Sequence, residues 1–249
     1  MNDSSQRLPI KISIEPELPA LSWLAQLREN AMTVFCGSRV ERFEGGIVEG
    51  CWDGLFEAHG FKESANFFGS GVVVKGDTVT FVSSTHTLEA LYFFEDNTGV
   101  TASNSHAFLV EFCKLNLDVS KPYGHRFATL VKGVDRYRSV IGKIRDGMLR
   151  RIAYANISSH DGVLTISDKA QSPSFASYAQ YHQYLLETLR KTFDNGTSPY
   201  RRETWAPVTS CSSGYDSAAC AALGAALGNI EAVTLSAGQN DQDLSLIHI

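Results

Sequence analysis

One stretch concentrates the groups that could do chemistry. It is Thr209-Ser-Cys-Ser-Ser-Gly-Tyr-Asp-Ser217, rich in hydroxyls, with a thiol at 211 and a carboxylate at 216. Hydroxyls and successive backbone N–H groups at a helix start are the donors that hold phosphate, where the helix dipole also favours anions. A carboxylate among them repels phosphate unless it holds a cation such as Mg²⁺. A Walker-type loop is excluded, because no lysine follows Gly214 anywhere in the chain. The dinucleotide fingerprint fails on spacing, since the nearby glycines are Gly214 and Gly224. Ser210 to Gly214 does match a nucleophile elbow, small-x-Ser-x-Gly, with Ser212 as nucleophile. Its acid and histidine would have to come from Asp216, Asp241, Asp243 and His248, and no His-Gly-Gly oxyanion segment precedes it. The plainest reading is an Asx-type turn whose Ser and Asp cap a structural helix.

The elements around this stretch decide which chemistry it can reach. "APVTSC" reads as a strand, "AACAALGAAL" as a helix small enough to lie close to a sheet, with Gly228-Asn229 as its stop, and "EAVTLSAG" as a second strand. A strand, helix, strand order implies parallel pairing, and in open parallel sheets ligands bind beyond the carboxyl ends of the strands. Upstream, Tyr178 to Phe193 is a helix with Ser177 and Gln180 as a capping box, and its stripe of Tyr181, Tyr184, Leu185, Thr188 and Leu189 reads as core. The polar segment "DKAQSPSFAS" before it marks a domain boundary. In the first half, "LSWLAQLREN" suits a short amphipathic helix. Val72–Val74 and Val79–Val82 form a hairpin about Lys75-Gly76-Asp77, and 90–94 with 100–103 a second one. "HAFLVEFCKLNL" reads as a helix burying Phe108, Leu109, Phe112 and Leu115. Ile141–Ile144 and Met148–Ala155 flank a turn at Asp146-Gly147, and "GVLTIS" is a further strand.

Ser212-Ser213-Gly214-Tyr215-Asp216-Ser217 resembles the pyrophosphate loop of the ATP pyrophosphatases, Ser-Gly-Gly-x-Asp-Ser, with Ser213 in place of a glycine. A Cβ there restricts φ and crowds the close approach that glycine permits, although its hydroxyl adds a donor. The surroundings resemble the asparagine synthetase family. "THTLEALYFFEDNTGVTASNSHAFLVEF" is similar to the framework of its glutaminase-like domain, "YHQYLLETLRKTF" to the helix before its synthetase domain, and "EAVTLSAGQND" to the strand that flanks adenine. The resemblance spans roughly 67–243. It implies an α+β amino-terminal domain of antiparallel sheets over 1–170, like the Ntn amidotransferases. The start of an α/β parallel-sheet PP-loop domain, like the adenine nucleotide α-hydrolases, follows over 174–243. Residue by residue, it places Cys211 beside the nucleotide, Ser212, Ser213, Gly214, Tyr215, Asp216 and Ser217 around pyrophosphate, Asp216 on Mg²⁺, and Ala237 by the adenine. ATP and Mg²⁺ are the implied cofactors. The implied activity is an amide-forming ligase, of the kind used in asparagine biosynthesis, that adenylates a small or peptidic carboxylate and releases pyrophosphate before an amine attacks. The family's acid, base and lysine residues would lie past Asp243.

The glutamine-using members of that family rely on an amino-terminal cysteine, whereas this chain begins Met1-Asn2-Asp3. No glutamine-holding Arg loop or Asn-Gly-Glu segment is recognisable, so no glutaminase activity is expected. The family's β-lactam synthetases and lasso-peptide cyclases lack it too. Rival readings are a serine hydrolase using Ser212, a binding or scaffolding module on the same fold, and a sulfur-inserting tRNA enzyme.

Composition constrains the rest. The 249 residues are 43% hydrophobic and 20% charged with net charge −5, which suits a globular chain and argues against nucleic-acid binding through backbone phosphates. No long apolar run or signal peptide is present, so a cytoplasmic protein without membrane partners is expected. Five cysteines without a CxxC read as buried thiols. Residues 244–249, "LSLIHI", match the translation of a transposon end used in sequencing libraries. Genuine sequence is therefore expected to end near Asp243, and His248 is not a candidate base.

Overall fold

In the computed structural model, which describes residues 8–29, 31–118, 125, 128–144, 147–160, 162–212, 214–228 and 231–234, β-branched and aromatic runs pair into two sheets. Clustering of contacts divides the chain into one unit of residues 1–50 with 61–171, and a second of 51–60 with 172–249. Residues 51–60 thus group with the second unit.

The first unit begins with β1 (Ile10–Ile14), β2 (Trp23–Arg28), β3 (Ala31–Cys36), β4 (Glu41–Phe43) and β5 (Gly46–Trp52), the last reaching into the second unit. Then come β6 (Phe67–Lys75), β7 (Thr78–Val82), β8 (Leu91–Asp96), β9 (Gly99–Ser103) and helix α1 (His106–Phe112). The strands β10 (Val140–Ile144), β11 (Gly147–Ile152), β12 (Ala155–His160) and β13 (Val163–Asp168) complete it. One sheet runs β1-β3-β2-β9-β8-β11-β10, antiparallel except for the parallel β1–β3 pair. The other runs β13-β12-β7-β6-β5-β4.

Both sheets contribute to one apolar cluster, including Trp23, Ala25 and Leu27 of β2, Ile47 of β5, Val72 and Val74 of β6, Phe81 of β7 and Phe93 of β8. Phe81 and Phe93 meet edge to face with centroids 5.4 Å apart, a favoured arrangement of ring quadrupoles. A second cluster joins Leu24, Phe94, Ile141, Ile144 and Leu149 to Leu109 of α1. Asn156, on β12 beside core residues Ala155 and Ile157, sends Nδ2 to the Lys62 carbonyl at 3.1 Å. Lys169, after β13, is buried with its Nζ 5.7 Å from the Phe67 ring centroid, and burial pulls its amine down to about 7.

The second unit holds α2 (Tyr178–Gly196), β14 (Thr209–Ser210), α3 (Tyr215–Ala226) and β15 (Ala232–Val233). Here Arg201 is a latch. It donates from Nε to the Asn195 carbonyl (2.6 Å) and from one terminal nitrogen to Asn195 Oδ1 (2.5 Å) and Cys51 Sγ (3.5 Å). Its guanidinium lies over Phe56 at 4.3 Å and near Trp205 and Trp52 at 5.4 and 5.8 Å. Asn195 Nδ2 in turn donates to the Gly54 carbonyl (2.7 Å), so residues 51–56 are tied to the end of α2. The fold is a mixed α+β arrangement, mostly sheet, with three α-helices among the described residues. None of the described helices is long and apolar enough to cross a membrane.

Both hairpins form as expected, with Gly76 at φ +63 in the first turn. Four expectations change. "LSWLAQLREN" is strand β2, because it is central and buried on both faces. Trp23, Ala25 and Leu27 enter one cluster and Leu24 the other, which makes a strand look like a helical stripe. The strand expected over 148–155 ends at Ile152, and Tyr154 at φ 58 breaks the chain before β12 begins at Ala155. The α2 stripe is not core: Tyr184, Leu185, Thr188 and Leu189 are half-buried and Tyr181 is exposed. Of the thiols, Cys36 is buried, Cys51, Cys113 and Cys211 are half-buried, and Cys220 is exposed on α3.

Candidate functional site

The 209–217 stretch joins β14 to α3. β14 and β15 pair in parallel, Thr209 with Ala232 and Ser210 with Val233, and the Cys211 N–H donates to the Val233 carbonyl at 2.8 Å. The loop therefore leaves the carboxyl end of a strand and enters a helix, as strand, loop, helix and strand had implied. Ser213 and Ala237 lie outside the described residues, as do 235–249.

Within the loop the two flanking serines hold each other. The Ser212 N–H donates to Ser217 Oγ at 3.0 Å, and the two hydroxyls lie 2.7 Å apart. Ser217 Oγ is 3.0 Å from the Gly214 carbonyl, so with its proton there, the Ser212 hydroxyl is the donor of the pair. The Gly214 N–H closes the ring onto Ser212 Oγ at 3.3 Å. Neither an imidazole nor a carboxylate bonds the Ser212 hydroxyl among the described residues, and Asp241, Asp243 and His248 lie outside them.

The start of α3 differs from those of the other helices. α1 is capped by Ser105, which accepts from Phe108 N–H, and α2 by Ser177, which accepts from Gln180 N–H. The matching position of α3 is Gly214, which has no side chain to cap with. The first helical bond runs from Ala218 N–H to the Gly214 carbonyl at 3.3 Å, so the amides of Tyr215, Asp216 and Ser217 have no helical acceptor. Tyr215 is 95% exposed and Asp216 is exposed in the first turn. The Asp216 carboxylate has no protein hydrogen bond or ion pair among the described residues.

No group of three or more His, Cys, Asp or Glu side chains is placed to hold a metal by itself among the described residues. Mg²⁺ in general keeps most of its waters and is held by one or two carboxylates together with substrate phosphates. Asp216 is the carboxylate present.

Sequence reasoning missed a second constellation, in the first unit. Glu49 of β5 shares the strand face of core residue Ile47, where the alternation calls for an apolar side chain. Its Oε1 accepts from Ser70 Oγ at 2.5 Å and from Asn104 Nδ2 at 3.5 Å. Ser70 Oγ accepts from Trp23 Nε1 at 2.8 Å, Asn104 Nδ2 also donates to the Leu21 carbonyl at 2.9 Å, and Asn104 Oδ1 accepts from Trp23 N–H at 2.9 Å. The strands close at glycines beside these residues. A Cβ on Gly69 (φ +144) would stand 2.0 Å from the Glu49 carbonyl, and one on Gly50 (φ +108) would stand 2.0 Å from that of Phe68. Burial pushes the Glu49 carboxyl up to about 7, against the hydrogen bonds from Ser70 and Asn104 that pull it down. The single available signal was one acidic residue inside "GGIVEGCW".

Neither a protein-family model nor a curated protein matches this chain.

Proposed function

We propose that the chain carries the nucleotide-binding start of an ATP-dependent amide-forming ligase, with Ser212 to Ser217 as the pyrophosphate loop of a PP-loop domain. The observation that carries the reading is the uncapped start of α3 after a parallel strand, with three open amides and the Asp216 carboxylate facing solvent. The fold of the first unit, read as a divergent glutaminase-like domain without its nucleophile, is part of the same proposal.

In the reaction, a substrate carboxylate oxygen attacks the α-phosphorus of ATP, and the bond to the β,γ-pyrophosphate breaks. An amine then attacks the acyl carbon, AMP leaves with the bonding pair, and the amine gives up a proton. The open amides of Tyr215, Asp216 and Ser217 would bear the charge that grows on departing pyrophosphate, where fixed donors cost no reorganisation. Mg²⁺, held by Asp216, would neutralise charge that the carboxylate alone would repel. Ser217 has a gating part. It occupies the Ser212 N–H, which must be released before that amide can reach phosphate.

Calorimetric titration with MgATP tests the binding step, and ATP–pyrophosphate exchange on the native gene product tests the chemistry. Binding that weakens about tenfold or more in Asp216→Ala and in metal-free buffer is expected, because the carboxylate then repels unshielded phosphate. Exchange unaffected by Asp216→Ala would remove the mechanism. Labelling of Ser212 by a fluorophosphonate would replace it with hydrolase chemistry.

A further inference from the structure

At one end of the sandwich, strand ends in the first unit enclose a cavity of about 210 Å³, whose polar lining includes Glu49, Ser70, Ser83, Ser84, Glu89 and Asn104. Its donors are largely committed to the protein. Ser83 Oγ donates to the Ala155 carbonyl (2.8 Å), Ser84 Oγ to that of Phe67 (3.0 Å) and Ser70 Oγ to Glu49, and Asn104 Nδ2 has its two acceptors already. Beyond the Ser22 and Ser105 hydroxyls, what the wall offers is lone pairs and negative charge. Glu49 is 8% exposed and no cationic side chain among the described residues is paired with it, while Glu89 contributes a second, solvent-exposed carboxylate. Among the described residues no lysine, arginine or histidine lines the cavity.

A buried carboxylate without a counter-charge costs several kcal/mol or stays protonated, unless a cation arrives from outside. A bare metal ion is poorly served, because two carboxylates make no cluster of three ligands and the space exceeds an ion's. An ammonium head fits the chemistry: its N–H donors match carboxylate and hydroxyl acceptors, and the remaining volume takes a short carbon stem. We propose that this cavity binds a small molecule through a primary ammonium group, held between the Glu49 and Glu89 carboxylates. The site lies wholly in the first unit, and its occupancy does not depend on the nucleotide reading of the loop.

Methylammonium and ethylammonium chloride are the probes, titrated into the full chain by calorimetry and thermal unfolding at constant ionic strength, with tetramethylammonium and sodium chloride as references. The primary ammoniums are expected to bind and raise the Tm while the references do not. Glu89→Gln, on an exposed side chain that leaves the fold intact, is expected to weaken binding several-fold, and Glu49→Gln to abolish it. A cation holds Glu49 ionised, so affinity should rise about tenfold between pH 6 and pH 8, with proton release at pH 6 read from the buffer dependence of the heat. His86 stands beside Glu89, its Nε2 3.6 Å from Glu89 Oε2. Equal effects from tetramethylammonium, or affinity unchanged in Glu89→Gln and across that pH range, would overturn the proposal, whatever the outcome with MgATP.

Discussion

The loop at 209–217 and the cavity at Glu49 use the same groups, serine hydroxyls and a carboxylate, in opposite ways. In the cavity the donors are spent on protein carbonyls and the acceptors face inward. In the loop three amides have no acceptor among the described residues and the carboxylate stands in solvent. The difference teaches which charge each place favours: open amides at a helix start favour an anion, and a wall of acceptors favours a cation. It also separates a site set into a core from one that rests on local hydrogen bonds, and substitutions can break that contrast.

The largest effect is expected where the cavity's frame is closed. Gly69→Ala puts a Cβ against the Glu49 carbonyl at a φ that side chains avoid, and should cost roughly 3 kcal/mol or more in denaturant unfolding. A loss below about 1 kcal/mol would mean that the strands do not close there. Arg201→Lys comes next, because a lysine cannot stack on Phe56 while bonding Asn195 and Cys51. It should destabilise the second unit by about 2–3 kcal/mol, so that this unit's stability lies in the latch and not in the loop.

Titration sharpens the cavity side further. Glu49 has its folded pKa raised to about 7, so its contribution to stability is present below its unfolded value near 4.5 and is lost as pH rises through 7. Lys169 has its folded pKa lowered to about 7, so its contribution is present above its unfolded value near 10.5 and is lost as pH falls toward 7. Together they should place a dip in stability near pH 7, on the order of 1–2 kcal/mol deep. Glu49→Gln should flatten the acid limb and Lys169→Met the alkaline one. A monotonic profile through pH 5–9, followed by urea unfolding at about unit intervals, would contradict both assignments.

The smallest stability change is expected in the loop. Ser217→Ala removes four mutually close contacts on an exposed segment, and should cost about 1 kcal/mol or less while freeing the Ser212 amide. Tighter MgATP binding in that variant would mark Ser217 as a gate, and weaker binding would mark its hydroxyl as a phosphate ligand.

The strand, loop, helix and strand course around 209–217 was legible because it is set locally. Strand, turn residues, small-residue helix and Gly228 stop all lie within one short window, and the parallel pairing of Thr209–Ser210 with Ala232–Val233 follows from that order. The hairpins at Gly76 and at Asp96 to Gly99 were legible for the same reason, since alternation and turn chemistry act on neighbours. β2 was not, because burial on both faces removes the alternation that distinguishes a strand from a helix. The Arg201 latch was equally hidden, with Cys51 150 residues away along the chain.

What the sequence alone determined, then, is the motif, the local elements and the charge balance, all set by residues a few positions apart. Only the tertiary structure decided that Ser217 holds the Ser212 amide and that α3 starts without a cap. Only it brought Glu49, Ser70, Glu89 and Asn104 around one cavity. Those residues come from separate strands and turns, and the burial that gives Glu49 its altered acidity exists only once the two sheets have closed over it.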